Sequence, residues 1–458
     1  MGKDLTEVRS LQRKLTPDKR YVGLDNRERT SLQGIAKRAQ ACKSTRFQNL
    51  YGMIDEGMLL ESWRRLNKKA ARGVDGITAQ AYEKNLYANI KSLAQKLKTK
   101  RYRTKHVRRC YIPKNESQVR ALGIPALEDK LIQHSCARIL TSIYEQDFLP
   151  MSFGYRPERS AQEAISHLGF NLQYSSLGYV VEADIKSYFD EIDHDLLLEM
   201  LQGRIDDSAF LGPIEQWLKA GILDTDGEVY HPKTGSPQGG IVSPILANVY
   251  LRHVMDDWFE TVVKPHISGK AMMIRYADDF VCAFQYKTEA VKFFEVLPKR
   301  LSRFGLRLSK EKSGLMRFSR FEPSLCRRIE FLGFELYWDH DYNGRVCVMK
   351  RTARKKLFKA IASVVGWVKA NRHVRGRAFV KGLNRRLVGH YNYFGFKGNE
   401  RSVGRFYKAA VDAAFKWLNR RGGKKSSFTW SSFLEGLSRA GIARPRTTVM
   451  QREHVVFT

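Results

Sequence analysis

The sequence predicts an α+β fold, and three observations carry that prediction. Apolar runs end on acidic residues: LGYVVEAD (Leu177–Asp184) stops at Asp184, while MIRYA and FVCAF flank the pair Asp278 and Asp279. These strand-like runs are mixed with stretches of helical periodicity without a regular strand–helix repeat, which argues against a doubly wound parallel sheet. Charge is segregated: residues 341–458 hold 27 Lys/Arg against 5 Asp/Glu and residues 1–50 hold 12 against 5, so that of a net +33 only +4 falls between them.

A chain of 458 residues exceeds one core, and at roughly 150 residues per domain it divides into about three. With 43% hydrophobic residues it can fold as a globular protein. No apolar run approaches the ~18 residues of a membrane span. The opening MGKDLTEVRS lacks the apolar core of a secretory leader. It matches the loose myristoylation pattern Met-Gly-x-x-x-Thr but reads as an ordinary polar terminus. Six scattered cysteines without a Cys-x-x-Cys pair exclude a zinc ribbon or disulfide framework and fit a reducing cytoplasm. A near-neutral centre between basic ends suits a polyanion gripped from both sides, so nucleic acid is the expected partner and a membrane is not.

Element by element, residues 1–50 read as basic helix with polar breaks. Residues 51–97 read as helix interrupted by ARGVDGIT (Ala71–Thr78). HVRRCYIPKNESQVRALGIP (His106–Pro125) reads as two strands around a polar turn. Helices are expected over 127–148 and 160–172, then a strand into Asp184 and helix to about 220. The loop HPKTGSPQGG (His231–Gly240) precedes a helix over 242–259. MIRYA and FVCAF form a hairpin with its acids at or near the turn, where aspartate tolerates left-handed backbone. A helix over 288–304 and the strands around FLGFELYW (Phe331–Trp338) come next. Beyond Val348 the pattern is helical, basic and aromatic.

Paired carboxylates in an apolar run cost several kcal/mol to bury unless a cation offsets them. If Asp184, Asp278 and Asp279 meet on adjacent strands, they form an oxygen-donor site for Mg²⁺, which pairs with substrate phosphates. Two such ions, roughly 3.5–4 Å apart, would serve nucleotidyl transfer, with Mn²⁺ able to substitute. Strand alternation ranks Asp184 and Asp278 as the principal ligands and Asp279 as the lesser one.

Tyr276-Ala277-Asp278-Asp279 resembles the active-site box of reverse transcriptases. Its companions stand in the family's order: YIPK…RALGIP, SFGYRPERSAQEA, ADIKSYFDEIDH, GSPQGGIVSPILANVYL, RYADDF, LRLSKEKS and FLGF, together covering roughly residues 105–335. SWRRLNKKAARGVDGIT resembles the N-terminal extension, and RRLVGHYNYFG with WLNRRGGKKSSFTWSSF resembles the thumb, domain X, of group II intron-encoded reverse transcriptases, the maturases. The resemblance implies a right-hand polymerase. A basic helical extension would span 1–100, fingers and palm 101–340, and an α-helical thumb 341–458.

The resemblance also implies residue roles. Asp184, Asp278 and Asp279 match the metal-binding acids. Lys114 and Arg120 match the fingers cations on the triphosphate, and Gln238 matches the nucleotide-facing residue of the Pro-Gln-Gly turn. Phe189 matches the aromatic gate against a 2′-hydroxyl, although a core aromatic would also fit SYFDEI. Lys312, in KEKS where threonine commonly replaces Ser313, matches the lysine that protonates departing pyrophosphate. Phe331, Leu332 and Gly333 match the primer grip, and Tyr155 with Arg156 a template-side contact. Arg420, Arg421, Lys424 and Lys425 flank Gly422-Gly423 as a basic turn expected to face RNA. Tyr391, Tyr393, Phe394 and Phe396 suit either helix packing or stacking on bases. No Cys/His cluster follows the thumb motifs, so no DNA-cleaving domain is expected in this sequence.

The expected function is therefore RNA-directed DNA synthesis from dNTPs on an RNA template with a DNA or RNA primer. Binding and splicing of a structured intron RNA accompany it, in a bacterial cytoplasm and associated with RNA or the nucleoid. Three other readings stay open: a splicing factor without polymerase activity, a domesticated enzyme of phage defence, spacer acquisition or repair, and an RNA-dependent RNA polymerase.

Overall fold

The computed structural model describes residues 31–113, 119–236, 239–420 and 427–447. Four helices come first: α1 (Leu32–Ala41), α2 (Glu56–Arg65), α3 (Ala79–Glu83) and α4 (Leu86–Lys98). Side chains of Ser31, Asp55 and Thr78 accept N–H groups in the first turns of α1, α2 and α3, which fixes where those helices start. Strands β1 (Val107–Pro113) and β2 (Val119–Ile124) come after them, then α5 (Leu127–Tyr144). Ile35, Leu59, Trp63, Ile90 and Leu93 belong to one buried core with Leu131, Cys136 and Ile139 of α5, and the Ser62 and Ser135 hydroxyls meet at 2.9 Å where α2 packs on α5. Helices α1, α2 and α4 thus share one core with α5.

A buried ion cluster reinforces that join. The Asp147 carboxylate, 1% exposed, lies 3.0 Å from Arg204, 3.4 Å from Arg252 and 3.5 Å from Lys43. Arg204 also donates to the carbonyls of Ala39, Cys42 and Thr45. A carboxylate this deep is tolerable only with such partners.

Next come α6 (Ala161–Tyr174), β3 (Tyr179–Asp184), α7 (Tyr188–Glu191), α8 (His194–Gln202) and α9 (Ser208–Leu218). Short strands β4 (Ile222–Leu223) and β5 (Val229–Tyr230) complete a fingers sheet of order β2-β1-β4-β5. Helix α10 (Ser243–Leu251) continues into π-helical Arg252–Asp256, so the helix expected over 242–259 is α-helical only in its first half. Strands β6 (Ala271–Tyr276) and β7 (Asp279–Phe284), helix α11 (Lys287–Ser302) and strand β8 (Gly314–Arg317) finish an antiparallel palm sheet of order β6-β7-β3-β8. Alternate residues of this sheet face two different cores: Val181, Met273 and Cys282 face one, Val180, Met272 and Val281 the other. Burial on both faces explains why these strands read as continuous apolar runs.

Strands β9 (Arg328–Phe331), β10 (Phe334–His340) and β11 (Val346–Thr352) form a separate three-stranded sheet. Because β11 pairs with β10 as far as Phe334↔Thr352, the chain remains strand four residues beyond Val348. The helices of the region expected to be a thumb begin only at α12 (Arg354–Ala370) and continue through α13 (Gly376–Phe394), α14 (Glu400–Asn419) and α15 (Trp430–Arg439). They enclose a third core of Leu357, Val364, Leu383, Leu387, Phe406 and Ala410. The Asn399 side chain accepts from Thr352 N–H at 2.9 Å and donates to Thr352 Oγ1 at 2.8 Å, so α12 and α14 start from the same point on the palm. Among the described residues no helix is long and apolar enough to cross a membrane.

Candidate active site

Strand β3 pairs with β7 in the register Asp184↔Asp279, and β6 pairs with β7 in the register Tyr276↔Asp279. Ala277 and Asp278 are therefore the two residues of a tight turn, and Asp279 opens β7. Antiparallel register partners point to the same face, so Asp279 stands opposite Asp184. The expected ranking of the acids rested on strand alternation, which orders neighbouring residues only when both lie in a strand, and Asp278 lies in the turn. The left-handed backbone also falls elsewhere than expected, on Ala277 with φ +58°. Gly154 packs so tightly on this turn that a Cβ there would lie 2.3 Å from Ala277 N, which leaves room for glycine alone.

Beneath the turn lies a residue that sequence reasoning missed. Arg275 is fully buried and pairs with both oxygens of Asp256, at 2.7 and 2.5 Å. It also donates to Asn248 Oδ1 at 3.0 Å, Ser152 Oγ at 2.7 Å and the Ala277 carbonyl at 3.1 Å. Every arm of the guanidinium is used, and one holds the turn that carries Asp278. A charged residue inside the apolar run MMIRYA was the available signal.

The carboxylates carry the electrostatic signature of crowding. Burial, then the Asp184 charge, holds Asp278 above the ordinary aspartate range. Burial followed by the Asp278 and Asp184 charges does the same to Asp279. Lys312 Nζ sits 2.5 Å from Asp184 Oδ2, and this contact raises the pKa of the amine. Among the described residues no group of three or more His, Cys, Asp or Glu side chains is gathered tightly enough to hold a metal ion by itself. Magnesium ordinarily takes one or two carboxylates and completes its shell with substrate phosphates and water. The crowded aspartates, with a lysine already supplying counter-charge, fit that hard cation as donors.

Two clefts meet at these acids, sharing Tyr155, Asp184, Asp278, Asp279, Lys312 and Lys356. The first, about 940 Å³, is lined by Arg120 of β2, by Phe189 and by Gly239. Its floor is fixed by Ser236 N–H donating to the Phe189 carbonyl at 2.7 Å. Gly239 has φ +119°, and a Cβ there would lie 2.6 Å from the Gly123 carbonyl oxygen, so the loop closes on β2 only with glycine. The second cleft, about 910 Å³, is lined by Phe331, Leu332, Gly333, Tyr393 and Phe394. Glu182 lines it too, with its pKa raised to about 7 chiefly by burial.

The expected residues thus divide. Arg120, Phe189, Tyr155, Lys312, Leu332, Gly333 and the three aspartates line the joined clefts; Phe331 does so while largely buried in the palm core. Arg156, expected at the template, is buried instead. It pairs with Glu145 at 2.6 Å and donates to the carbonyls of Leu149 and Ser152, which consumes its guanidinium. Arg420 lies at the far end of α14, 5.4 Å from the Trp417 ring. Lys114, Gln238, Arg421, Lys424 and Lys425 lie outside the described residues. Among the aromatic residues around the end of α13, Tyr391 and Phe396 are core, whereas Tyr393 is 41% exposed.

Comparison with known proteins agrees with this geometry. Residues 112–336 match the family described as reverse transcriptase (RNA-dependent DNA polymerase). Protein YkfC of Escherichia coli (strain K12) is 34% identical over 251 residues, which is 53% of this chain and 64% of that one. Group II intron-encoded protein LtrA of Lactococcus lactis subsp. cremoris is 36% identical over 227 residues, 49% of this chain and 37% of that one. Nuclear intron maturase 4, mitochondrial, of Arabidopsis thaliana is 20% identical over 148 residues, 32% and 18% of the two. The aligned region thus spans less than two thirds of each of these relatives. Residues 112–336 are thus a reverse transcriptase domain, and over that region the relatives of this chain include intron-encoded and maturase proteins.

Proposed function

We propose that this protein is an RNA-directed DNA polymerase that extends a primer on an RNA template with dNTPs, and that it binds a group II intron RNA and assists its splicing and mobility. One observation carries the reading: Asp184, Asp278 and Asp279 stand where two clefts join, one lined by Arg120 and Phe189 and the other by the Leu332–Gly333 turn. Bound to these acids and to phosphate oxygens, Mg²⁺ would stabilise charge on the attacking and departing oxygens. The remaining work falls to the chain. Arg120 holds the triphosphate, and Tyr155 borders both clefts at the template side. Lys312, whose raised pKa keeps it protonated, donates a proton to the leaving pyrophosphate.

Phe189 supports deoxynucleotide selection, because its ring lines the nucleotide cleft 6.4 Å from the Tyr155 ring. Phe189→Ala is expected to raise the kcat/KM for ribonucleotides relative to deoxynucleotides by about 10²-fold, the scale on which a pocket excludes a small group. Competing rNTP and dNTP incorporation on one RNA template measures it, and an unchanged ratio removes Phe189 from that role.

RNA binding by the thumb is supported by Trp417, around which Lys369, Arg372, Lys416 and Arg420 all lie within 6 Å. None of these four cations has an acidic partner among the described residues, which suits a polyanion with a base on the indole. Trp417→Ala should weaken binding of structured RNA about tenfold. Arg420→Gln should lower the slope of log K against log salt by about one. Filter binding across salt tests both, and an unchanged slope would place Arg420 outside the interface.

The chain's place would be the cytoplasm, with RNA or the nucleoid. A domesticated role in phage defence, spacer acquisition or repair would use the same site, and a gene lying outside any folded intron would favour it.

A further inference from the structure

We propose that Tyr393 is a positioning residue through which the thumb sets the turn that presents the primer's 3′ end; the proposal rests on the polymerase reading above. The β9–β10 hairpin closes through Leu332 and Gly333, both left-handed, with φ +52° and +77°. Two-residue hairpins of this kind want glycine or asparagine at such positions. A leucine rarely adopts that backbone, and it persists there only where the surroundings over-determine it.

The thumb supplies the over-determination. Tyr393 Oη donates to the Leu332 carbonyl at 3.0 Å, and Ala353 N–H, at the start of α12, donates to the Gly333 carbonyl at 2.9 Å. The Leu332 carbonyl is therefore held by a helix side chain, while the Gly333 carbonyl is held where β11 passes into α12, one step beyond the Phe334↔Thr352 pair. The Tyr393 ring lies nearly parallel to Phe334, the residue after the turn, at 5.7 Å and 13°. Its own carbonyl accepts from Gln162 Nε2 of α6 at 2.8 Å, which ties it to the palm.

The exposed part of this tyrosine lies in the same cleft as Asp184, Asp278 and Asp279. Its hydroxyl is turned to the Leu332 carbonyl, so the edge left for a ligand is aromatic and suited to a primer sugar. Any displacement of the end of α13 then moves the primer turn with it. Tyr393 acts through Leu332, and the coupling lies in one hydrogen bond that a single atom removes.

Tyr393→Phe deletes that bond and keeps the ring, whereas Tyr393→Leu deletes both. Single-nucleotide extension by the full chain, with KM measured separately for primer-template and for dNTP, reads the effect. Tyr393→Phe should raise the primer-template KM about three- to tenfold, the worth of one hydrogen bond, with dNTP KM unchanged and the melting temperature lowered by only about 2–4 °C. Mismatched primer ends should lose more than matched ones, and Tyr393→Leu should lose more again. An unchanged primer-template KM, or an equal rise in both KM values, would overturn the proposal while leaving the polymerase reading intact. A wild-type chain that extends no primer would overturn both.

Discussion

Asp278→Ala is expected to abolish cDNA synthesis, a loss of about 10³-fold or more, matching the several kcal/mol that metal-assisted charge stabilisation contributes. The metal-free variant should be no less stable than the parent. Burial and Asp184 raise the Asp278 pKa in the folded chain. For a carboxyl group raised in this way, stability is greatest below its ordinary pKa and falls as pH rises through the folded value. Near neutral pH the charged side chain therefore works against the fold, and its removal relieves a repulsion. Mg²⁺ should raise the melting temperature of the parent through the linkage between ligand and folded state, and this increment should shrink in the variant. Primer extension and thermal melts with and without Mg²⁺ test both halves. Undiminished cDNA yield from Asp278→Ala would remove the site from consideration.

The second large effect is expected beneath that turn. Asp256→Ala leaves the Arg275 guanidinium, 0% exposed, without its counter-ion. Breaking a buried pair from one side costs about 3–5 kcal/mol, a large part of the 5–15 kcal/mol that holds a typical domain together. Replacing both partners by apolar residues, Arg275→Met with Asp256→Leu, should recover most of that stability because no unpaired charge remains. Activity should not return with it. The donor to the Ala277 carbonyl is absent in the double variant, as are those to Asn248 and Ser152, so the turn carrying Asp278 is no longer held. Denaturant midpoints and extension rates across the cycle separate the two roles. A double variant with full activity would reduce the network to packing alone.

The acids and their hairpin were legible because two apolar runs of strand length bracket them, a local pattern that survives into the fold. The register was not, since it depends on which residue of β7 meets Asp184, and that is set by pairing across a hundred residues of chain. Arg275 escaped because a lone arginine before a tyrosine resembles a phosphate contact as much as a buried hub; only its fourfold set of partners decides. Arg156 erred the other way, for a position within a motif says nothing about burial, and its partner Glu145 stands eleven residues upstream at the end of α5. The thumb boundary moved because β11 is held by its partner β10 and not by its own periodicity. In the basic carboxyl-terminal region, composition announced a polyanion, but which rings are core and which line a cleft depended on packing. Tyr391 and Tyr393, two residues apart, went separate ways.

The shared core of the extension also bears on how the chain comes into being. Helices α1, α2 and α4 leave the ribosome with their apolar faces bare, and Ser62 waits 73 residues for Ser135. At a synthesis rate of about 5–20 residues per second, that interval is roughly 4–15 s. Asp147 waits longer still, until Arg204 and then Arg252 have been made. For those seconds the nascent chain presents a greasy, basic surface beside its own message. Assembly of this fold is a race between the arrival of α5 and capture of those helices by something else.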